Sequence, residues 1–564
     1  MGLGKIRRSQ VITTYGPGSL VAVDDESFMV TGIDNWFDGA MPDAGIIHEP
    51  RLERFLNVSG FVLPPSGKAE SSRDIPVVRF PFWYSCSDCR RLAPYFKLAT
   101  ETGFCDCGGR LRTSRFIAIC EAGHAMEFPY SRWVHRGKAV DGKDHDLRLT
   151  AEGRSSGLSD LIVTCSCGMS RNMEGALSKN ELRQVTKCTG ARPWLPGVDR
   201  ESDCDRIPRG SQRGASNVWQ GVTYSSLSIP PWSSEVNRFI DRNWMILQAV
   251  PPEALAATVN ALRQAFPMRF REDEVLAAIE DRKRLAGGQK LEIGDMFRQE
   301  YDALCRPYSQ DDEASDFVCE RVGDEVLLPP GIEYISRVKR LREVRALESF
   351  YRMTSGSDAE RIKCALGAAR SWWLPAIEVS GEGLFIKFDE QRLKDWESDA
   401  RVLDRMRHAT AGTEGVFGLE DLPDPSARAA LIHTVSHILM DQWSLECGYP
   451  TASLRERIYV GDEMAGVLIY TATSDSQGSM GGVVGMSKAG RFEASFESAL
   501  ARTEWCSNDP VCMERGPSGH GGLNRAACHA CCHVPETSCT WRNTLLDRAL
   551  MVGSPDGCIG YFTH

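Results

Sequence analysis

The sequence predicts an α+β multidomain protein with a cysteine-rich N-terminal half, a helical middle and an α/β C-terminal domain. Three observations carry this expectation. Cysteines recur in close pairs in two separate regions. From Trp232 to about Phe350 apolar residues recur at three- and four-residue steps, the pattern of amphipathic helices. The last block orders a helix, two strands, a glycine-rich turn, a helix and a second cysteine cluster.

The bulk properties set limits on function. The chain has 564 residues, 42% hydrophobic and 25% charged, enough for two to four globular domains. No apolar run approaches the roughly 18 to 20 residues that cross a bilayer; the stretches at Val11 to Val23 and Val467 to Thr471 are short and broken. The N-terminus, MGLGKIRRSQVITTYGPGSLVAV, has no uninterrupted apolar core and no small-residue cleavage site, and Ile6 replaces the Ser or Thr of a myristoylation signal. A cytoplasmic protein that neither spans nor anchors to a membrane is expected. Its net charge of −10 would repel a phosphate backbone, so any contact with DNA needs a local basic patch. Its 20 cysteines, kept reduced in such a compartment, point to metal rather than disulfides.

Taken in order, residues 1–80 read as short strands and loops, with turns at Tyr15-Gly16-Pro17-Gly18 and Pro64-Pro65-Ser66-Gly67. Residues 81–230 hold nine cysteines and little helical periodicity, as a metal-held region would. A charged stretch from Gly137 to Gly157 reads as a loop dividing it. Residues 231–400 carry the amphipathic patterns PPEALAATVNALRQAF and EDEVLAAIEDRKRL. ISRVKRLREVRALESFYRM reads as a further helix, with Arg337, Lys339, Arg340, Arg342 and Arg345 on a solvated face or, alternatively, against phosphate or an acidic partner. PAIEVSGEGLFIKF returns to strand alternation. After the linker TEGVFGLEDLPDPSAR, residues 420–564 open with the helix ARAALIHTVSHILMDQW, followed by the strands RERIYV and GVLIYTAT.

Cys86-x2-Cys89 with Cys105-x-Cys107 is a zinc-ribbon signature, two close pairs that a hairpin can join around one tetrahedral ion. A second site offers six ligands. Cys165, Cys167, Cys188 and Cys204 form the preferred set, and Cys120 and His124 joining Cys165 and Cys167 form the alternative. A third set is Cys512, Cys528, Cys531 and Cys539, with Cys506 as a possible substitute and Cys532 as a neighbouring thiol. Two or three zinc ions per chain follow, in closed sites that stabilise folds rather than catalyse. His433-x3-His437 has the spacing of a helical metal pair but lacks the intervening general-base Glu, and reads first as a packed pair.

The sequence contains no G-x4-G-K-[ST] phosphate loop, no G-x-S-x-G elbow and no zinc-deaminase motif. DSQGSMGG reads as a turn before it reads as an anion cradle. Around the first cluster lie Arg90, Arg91, Lys97, Arg110, Arg112, Arg115, Arg132 and Arg136, interleaved with Tyr84, Tyr95, Phe104, Phe116, Tyr130 and Trp133. Cations for phosphates beside aromatics for bases suit single-stranded DNA, although the same aromatics suit the small core of a ribbon.

With these residues in view, the chain resembles the DrmB family, the B component of the bacterial anti-phage system DISARM. The resemblance rests on RRSQVITTYGPGSLV, FIAICEAGHAMEFPYSRWVH, QRGASNVW and WLPAIEVSGEGLFIKF. It is strongest at HTVSHILM, GYPTASLRERIYV, YTATSDSQGSMGGVV, WCSNDPVC, AACHACC, PETSC and NTLLDRAL, which are similar to a zinc-binding domain also fused to some DNA helicases. The resemblance implies the cysteines as zinc ligands, no catalytic residue in this chain, and a superfamily 2 helicase partner, DrmA, that hydrolyses ATP while the complex engages DNA. Two other readings stand beside it: a metal-dependent nuclease using His433, His437, Glu456 and Asp475, and a zinc protein that contacts only protein.

Overall fold

The computed structural model describes residues 6–23, 26–37, 45–67, 74–140, 145–151, 157–201, 203–264, 271–286, 291–306, 315–352, 362–410, 424–471 and 481–563. Helices and sheets both contribute, giving an α+β protein. The chain divides into two compact units, one of residues 1–46, 60–224 and 345–377, the other of residues 47–59, 225–344 and 378–564. Among the described residues, no helix is long and apolar enough to cross a membrane.

The first unit is built from short antiparallel strands. A six-stranded sheet has the order Leu111–Thr113, Trp83–Cys86, Arg91–Pro94, Leu147–Ala151, Leu161–Cys165, Ser170–Asn172. A three-stranded sheet has the order Ala125–Glu127, Phe116–Ile119, Arg209–Gln212. Leu92, Phe116, Phe128, Tyr130, Trp133, Val163 and Met173 pack in one core beneath them. The stretch from Gly137 to Gly157, expected as a loop, contains a strand, Leu147–Ala151, whose register sets Leu147 opposite Cys165. Arg352 is fully buried in this unit and donates to the carbonyls of Gly123, Val218 and Gly18 at 2.8, 2.7 and 2.6 Å. A charge removed from water is tolerated there because backbone acceptors surround it.

In the second unit a sheet is covered on both faces. Along the strand Met464–Thr471, Val467 and Ile469 join one core cluster while Leu468 and Tyr470 join another. The alternation follows from the two-residue period of a strand. The first cluster holds the helix Ala427–Cys447, started by Ser426, whose hydroxyl accepts from the Ala429 N–H at 3.2 Å, and ended by Gly448 in the left-handed region. That helix is apolar on nearly every side and correspondingly buried on nearly every side. The second cluster takes Tyr301 and Leu304 from the helix Ile293–Cys305. A third, all-helical core joins Glu235–Leu247, Pro252–Gln264 and Glu272–Ala286.

ISRVKRLREVRALESFYRM is not a helix. Its residues 335–351 lie in the strand Ile332–Tyr351, whose residues to Val344 belong to the second unit and whose remainder belongs to the first. Burial on both faces removes the alternation that marks a half-exposed strand, so the apolar spacing mimics a helix. Nor do its cations form one stripe. Arg337 donates to Ser487 at 2.6 Å, Lys339 to Glu320 at 2.6 Å, Arg340 to the Ser315 carbonyl at 2.9 Å and Arg342 to Glu378 at 2.8 Å, while Arg345 is buried.

Glu300, fully buried in the second unit, accepts from Arg51 at 3.2 Å, from Arg457 and the Leu227 N–H at 3.0 Å, and from Tyr459 at 3.2 Å. Removing one member of a buried ion network strands the others without compensation. Glu300→Ala is expected to destabilise the chain by about 3–5 kcal/mol in chemical denaturation; a loss under about 1 kcal/mol would show that the arginines find other acceptors.

Candidate metal centres

Five groups of four donor side chains converge among the described residues, each with its ligand atoms within 4.8 Å of one another. Sulfurs on one tetrahedral zinc, bound at about 2.3 Å, stand about 3.8 Å apart, whereas a disulfide holds them at about 2.05 Å. That difference tests whether the donors fit an ion.

Cys86, Cys89, Cys105 and Cys107 come together as a set. The hairpin of Trp83–Cys86 and Arg91–Pro94 carries the first pair, and the short strand Phe104–Cys105 brings the second. Cys86 Sγ lies 3.4 Å from Cys107 Sγ, and Cys89 Sγ lies 3.8 Å from Cys105 Sγ. A Cβ on Gly109 would stand 2.5 Å from Cys86 Sγ, so only glycine allows this approach. The backbone N–H of Gly109, then the neighbouring thiols, pull Cys107 down to about 7, toward the thiolate that a metal requires.

The second site departs from both groupings that the spacing suggests. Cys120 and His124 meet Cys188 and Cys204, and Cys165 and Cys167 stand with neither pair. The reason lies in the sheets. Cys120 and His124 bridge the strands Phe116–Ile119 and Ala125–Glu127 of the three-stranded sheet, while Cys165 ends a strand of the six-stranded one. Cys120 Sγ is 3.3 Å from His124 Nδ1 and 3.6 Å from Cys188 Sγ. His124 Nε2 lies 2.8 Å from a Glu201 carboxylate oxygen, which fixes the ring with Nδ1 toward the thiols. The Cys120 thiol, with help from His124 and against burial, lowers Cys188 to about 4.

Cys165 and Cys167 instead meet His135 and His145, two ligands that sequence reasoning misses. His135 Nε2 is 3.3 Å from Cys167 Sγ and His145 Nδ1 is 3.3 Å from Cys165 Sγ. His135 donates its other ring N–H to the Ser131 carbonyl at 2.6 Å, leaving Nε2 as the ligating atom. The Met169 backbone N–H, then His135, lower Cys167 to about 6. All four ligands of this cluster lie in sequence between the two halves of the second cluster.

In the second unit Cys506, Cys512, Cys528 and Cys531 form the fourth group. Their sulfur separations of 3.6 Å (Cys506 to Cys528), 3.7 Å (Cys528 to Cys531) and 3.8 Å (Cys512 to Cys531) are those of one tetrahedron. Cys506, the expected substitute, thus takes the place expected of Cys539. Asp509 accepts the Cys506 N–H at 2.8 Å and is itself held by Arg548 at 2.6 Å, tying the cluster to a buried arginine. Cys539 is drawn away to a fifth, wholly buried group with His433, His437 and Glu456. Burial lowers the His433 pKa, against the opposing pull of the Glu456 carboxylate. Asp475 and the DSQGSM part of the glycine-rich turn lie outside the described residues.

Residues 7–220 match the family described as a domain of unknown function, DUF8724, and residues 435–532 match the MrfA Zn-binding domain. The second match takes in all four cysteines of the fourth cluster and stops short of both His433 and Cys539. A curated relative, DISARM protein DrmB of Bacillus paralicheniformis, is 30% identical over 539 residues, covering 90% of this chain and 94% of that protein.

Separate clusters make separate contributions to metal content. Cys165→Ser and Cys188→Ser should each cost one ion per chain and together two, whereas Cys165→Ser combined with His145→Ala should cost one. Elemental analysis of the purified chain checks this, and loss of a single ion from Cys165→Ser/Cys188→Ser would restore the four-cysteine grouping.

Proposed function

Because the chain belongs to the DrmB family of DISARM defence proteins, we propose that it is a non-catalytic, zinc-held scaffold subunit of a DNA-engaging complex in which a helicase partner, DrmA, hydrolyses ATP. The observation that carries this reading is the closure of the cysteine-containing clusters. Each presents four protein donors to one point, which leaves no open position for water or substrate. The missing phosphate loop agrees with ATP hydrolysis residing in the partner. For a metal-dependent nuclease, His433, His437 and Glu456 would have to reach DNA, yet their side chains are fully buried.

The basic residues around the first cluster support a phosphate contact more than a stacking platform. Arg90, Arg110, Arg112, Arg115, Arg132 and Arg136 are exposed, while Arg91 pairs with Asp106 at 2.6 Å. Of the interleaved aromatics, Tyr84, Phe116, Tyr130 and Trp133 are buried, so they build cores and cannot stack on bases. Phosphate contacts position without reading sequence, and a helicase that moves along DNA needs contacts of that kind.

The helicase alone and the helicase with this chain should differ in DNA affinity and in salt slope. Arg112→Glu/Arg115→Glu should weaken the binding of the complex and reduce the log–log salt slope by roughly one for each phosphate no longer neutralised. An affinity and slope unchanged by adding the wild-type chain would favour a protein that contacts only protein, and cleavage of DNA in Mg²⁺ or Mn²⁺ by the chain alone would overturn the non-catalytic reading.

A further inference from the structure

We propose that His433, His437, Glu456 and Cys539 form a closed binding site for one divalent d-block cation, zinc by its donor set, inside the core of the second unit. The helix Ala427–Cys447 places the two imidazoles one turn apart on one face, with ring centroids 4.4 Å apart. The strand Leu454–Gly461 supplies Glu456, and the C-terminal segment supplies Cys539. His433 Nε2 lies 3.1 Å from Cys539 Sγ and 3.2 Å from Glu456 Oε1, and His437 Nε2 lies 3.4 Å from the same oxygen.

The surrounding hydrogen bonds orient these atoms toward a common centre. His437 Nδ1 lies 2.7 Å from the Cys532 carbonyl and must donate its proton there. In the neutral ring this leaves Nε2 as a bare lone pair, and that buried atom has no hydrogen-bond partner. It faces a carboxylate oxygen, itself electron-rich, an arrangement that a cation between them makes favourable. The Thr540 N–H reaches Glu456 at 3.0 Å, Ser436 Oγ donates to the other Glu456 oxygen, and the Asn543 N–H reaches Cys539 Sγ at 3.1 Å. Outer contacts of this kind hold metal ligands in place. One carboxylate and one thiolate balance a 2+ ion, so the loaded site is neutral, as a buried site requires. Nitrogen, oxygen and sulfur donors in a tetrahedral set suit zinc.

Native mass spectrometry of the full-length chain counts the ions directly, and the readout is the difference between variants, whatever the occupancy of the four other clusters. Glu456→Gln keeps the volume and an acceptor for Thr540 but removes the anion, and it should bind one ion fewer than wild type; so should Cys539→Ser. An unchanged count in either folded variant overturns the proposal. If both variants fail to fold, wild-type chain produced with cadmium-113 decides by NMR. A resonance from a site with one sulfur among nitrogen and oxygen ligands supports the assignment, and its absence overturns it.

Discussion

Four donors must be held within a few ångströms of one point before the chain from Cys86 to Cys107 has much to fold around. At the first cluster the local apolar core is Tyr84, Leu98 and Leu111 together with Cys86 and Cys105 themselves, so the ligands are a large part of the core they complete. A core of that size cannot offset the entropy of ordering the hairpins around it. A structural zinc ion contributes on the order of 10 kcal/mol in small domains and changes that balance. The short strands, the glycines with left-handed backbones at Gly108, Gly123 and Gly168, and the carboxylate behind His124 all serve that convergence.

The second unit solves a different problem. Its sheet is buried on both faces and its central helix on nearly every side, so polar groups within it need partners inside the protein. Glu300 between Arg51 and Arg457, Arg405 against Asp547, and Arg548 against Asp509 are such arrangements. The histidine pair of the central helix is different: the strand and the C-terminal segment set Glu456, Cys539 and the Cys532 carbonyl beside it, yet His437 Nε2 is left without a hydrogen-bond partner. Here the fourth cysteine cluster fastens the chain's last segments, while apolar packing carries most of the burial.

How much of this is legible in the sequence depends on spacing. Cys86, Cys89, Cys105 and Cys107 can be grouped because all four lie within one hairpin and its neighbour, close enough in sequence to name each other. Cys165 and Cys188 cannot, because strand pairing decides their companions: Leu147 opposite Cys165 is what carries His145 to the thiol. His135 and His145 carry no signal, since one histidine just before a charged stretch and another inside it look like any others. Cys539 fits the spacing of the fourth cluster as well as Cys506 does, and only the fold shows that it lies against His433. The long strand Ile332–Tyr351 passes for a helix in sequence because double-sided burial erases its period. The helix Ala427–Cys447 is legible from the run ARAALIHTVSHILMDQW.

The third cluster's ligands lie inside the sequence interval that the second cluster spans, and this nesting gives assembly a direction. During synthesis the inner set is complete at Cys167, before Cys188 and Cys204 have been added, an interval on the order of seconds. Were an ion to close the inner set, the stretch between His124 and Cys188 would be effectively shorter, and the entropic cost of closing the outer loop would fall. The two sets are therefore coupled through the chain that joins them. An inner set left open lengthens the loop that the outer set must close, so scarce metal would leave the outer set the harder one to complete.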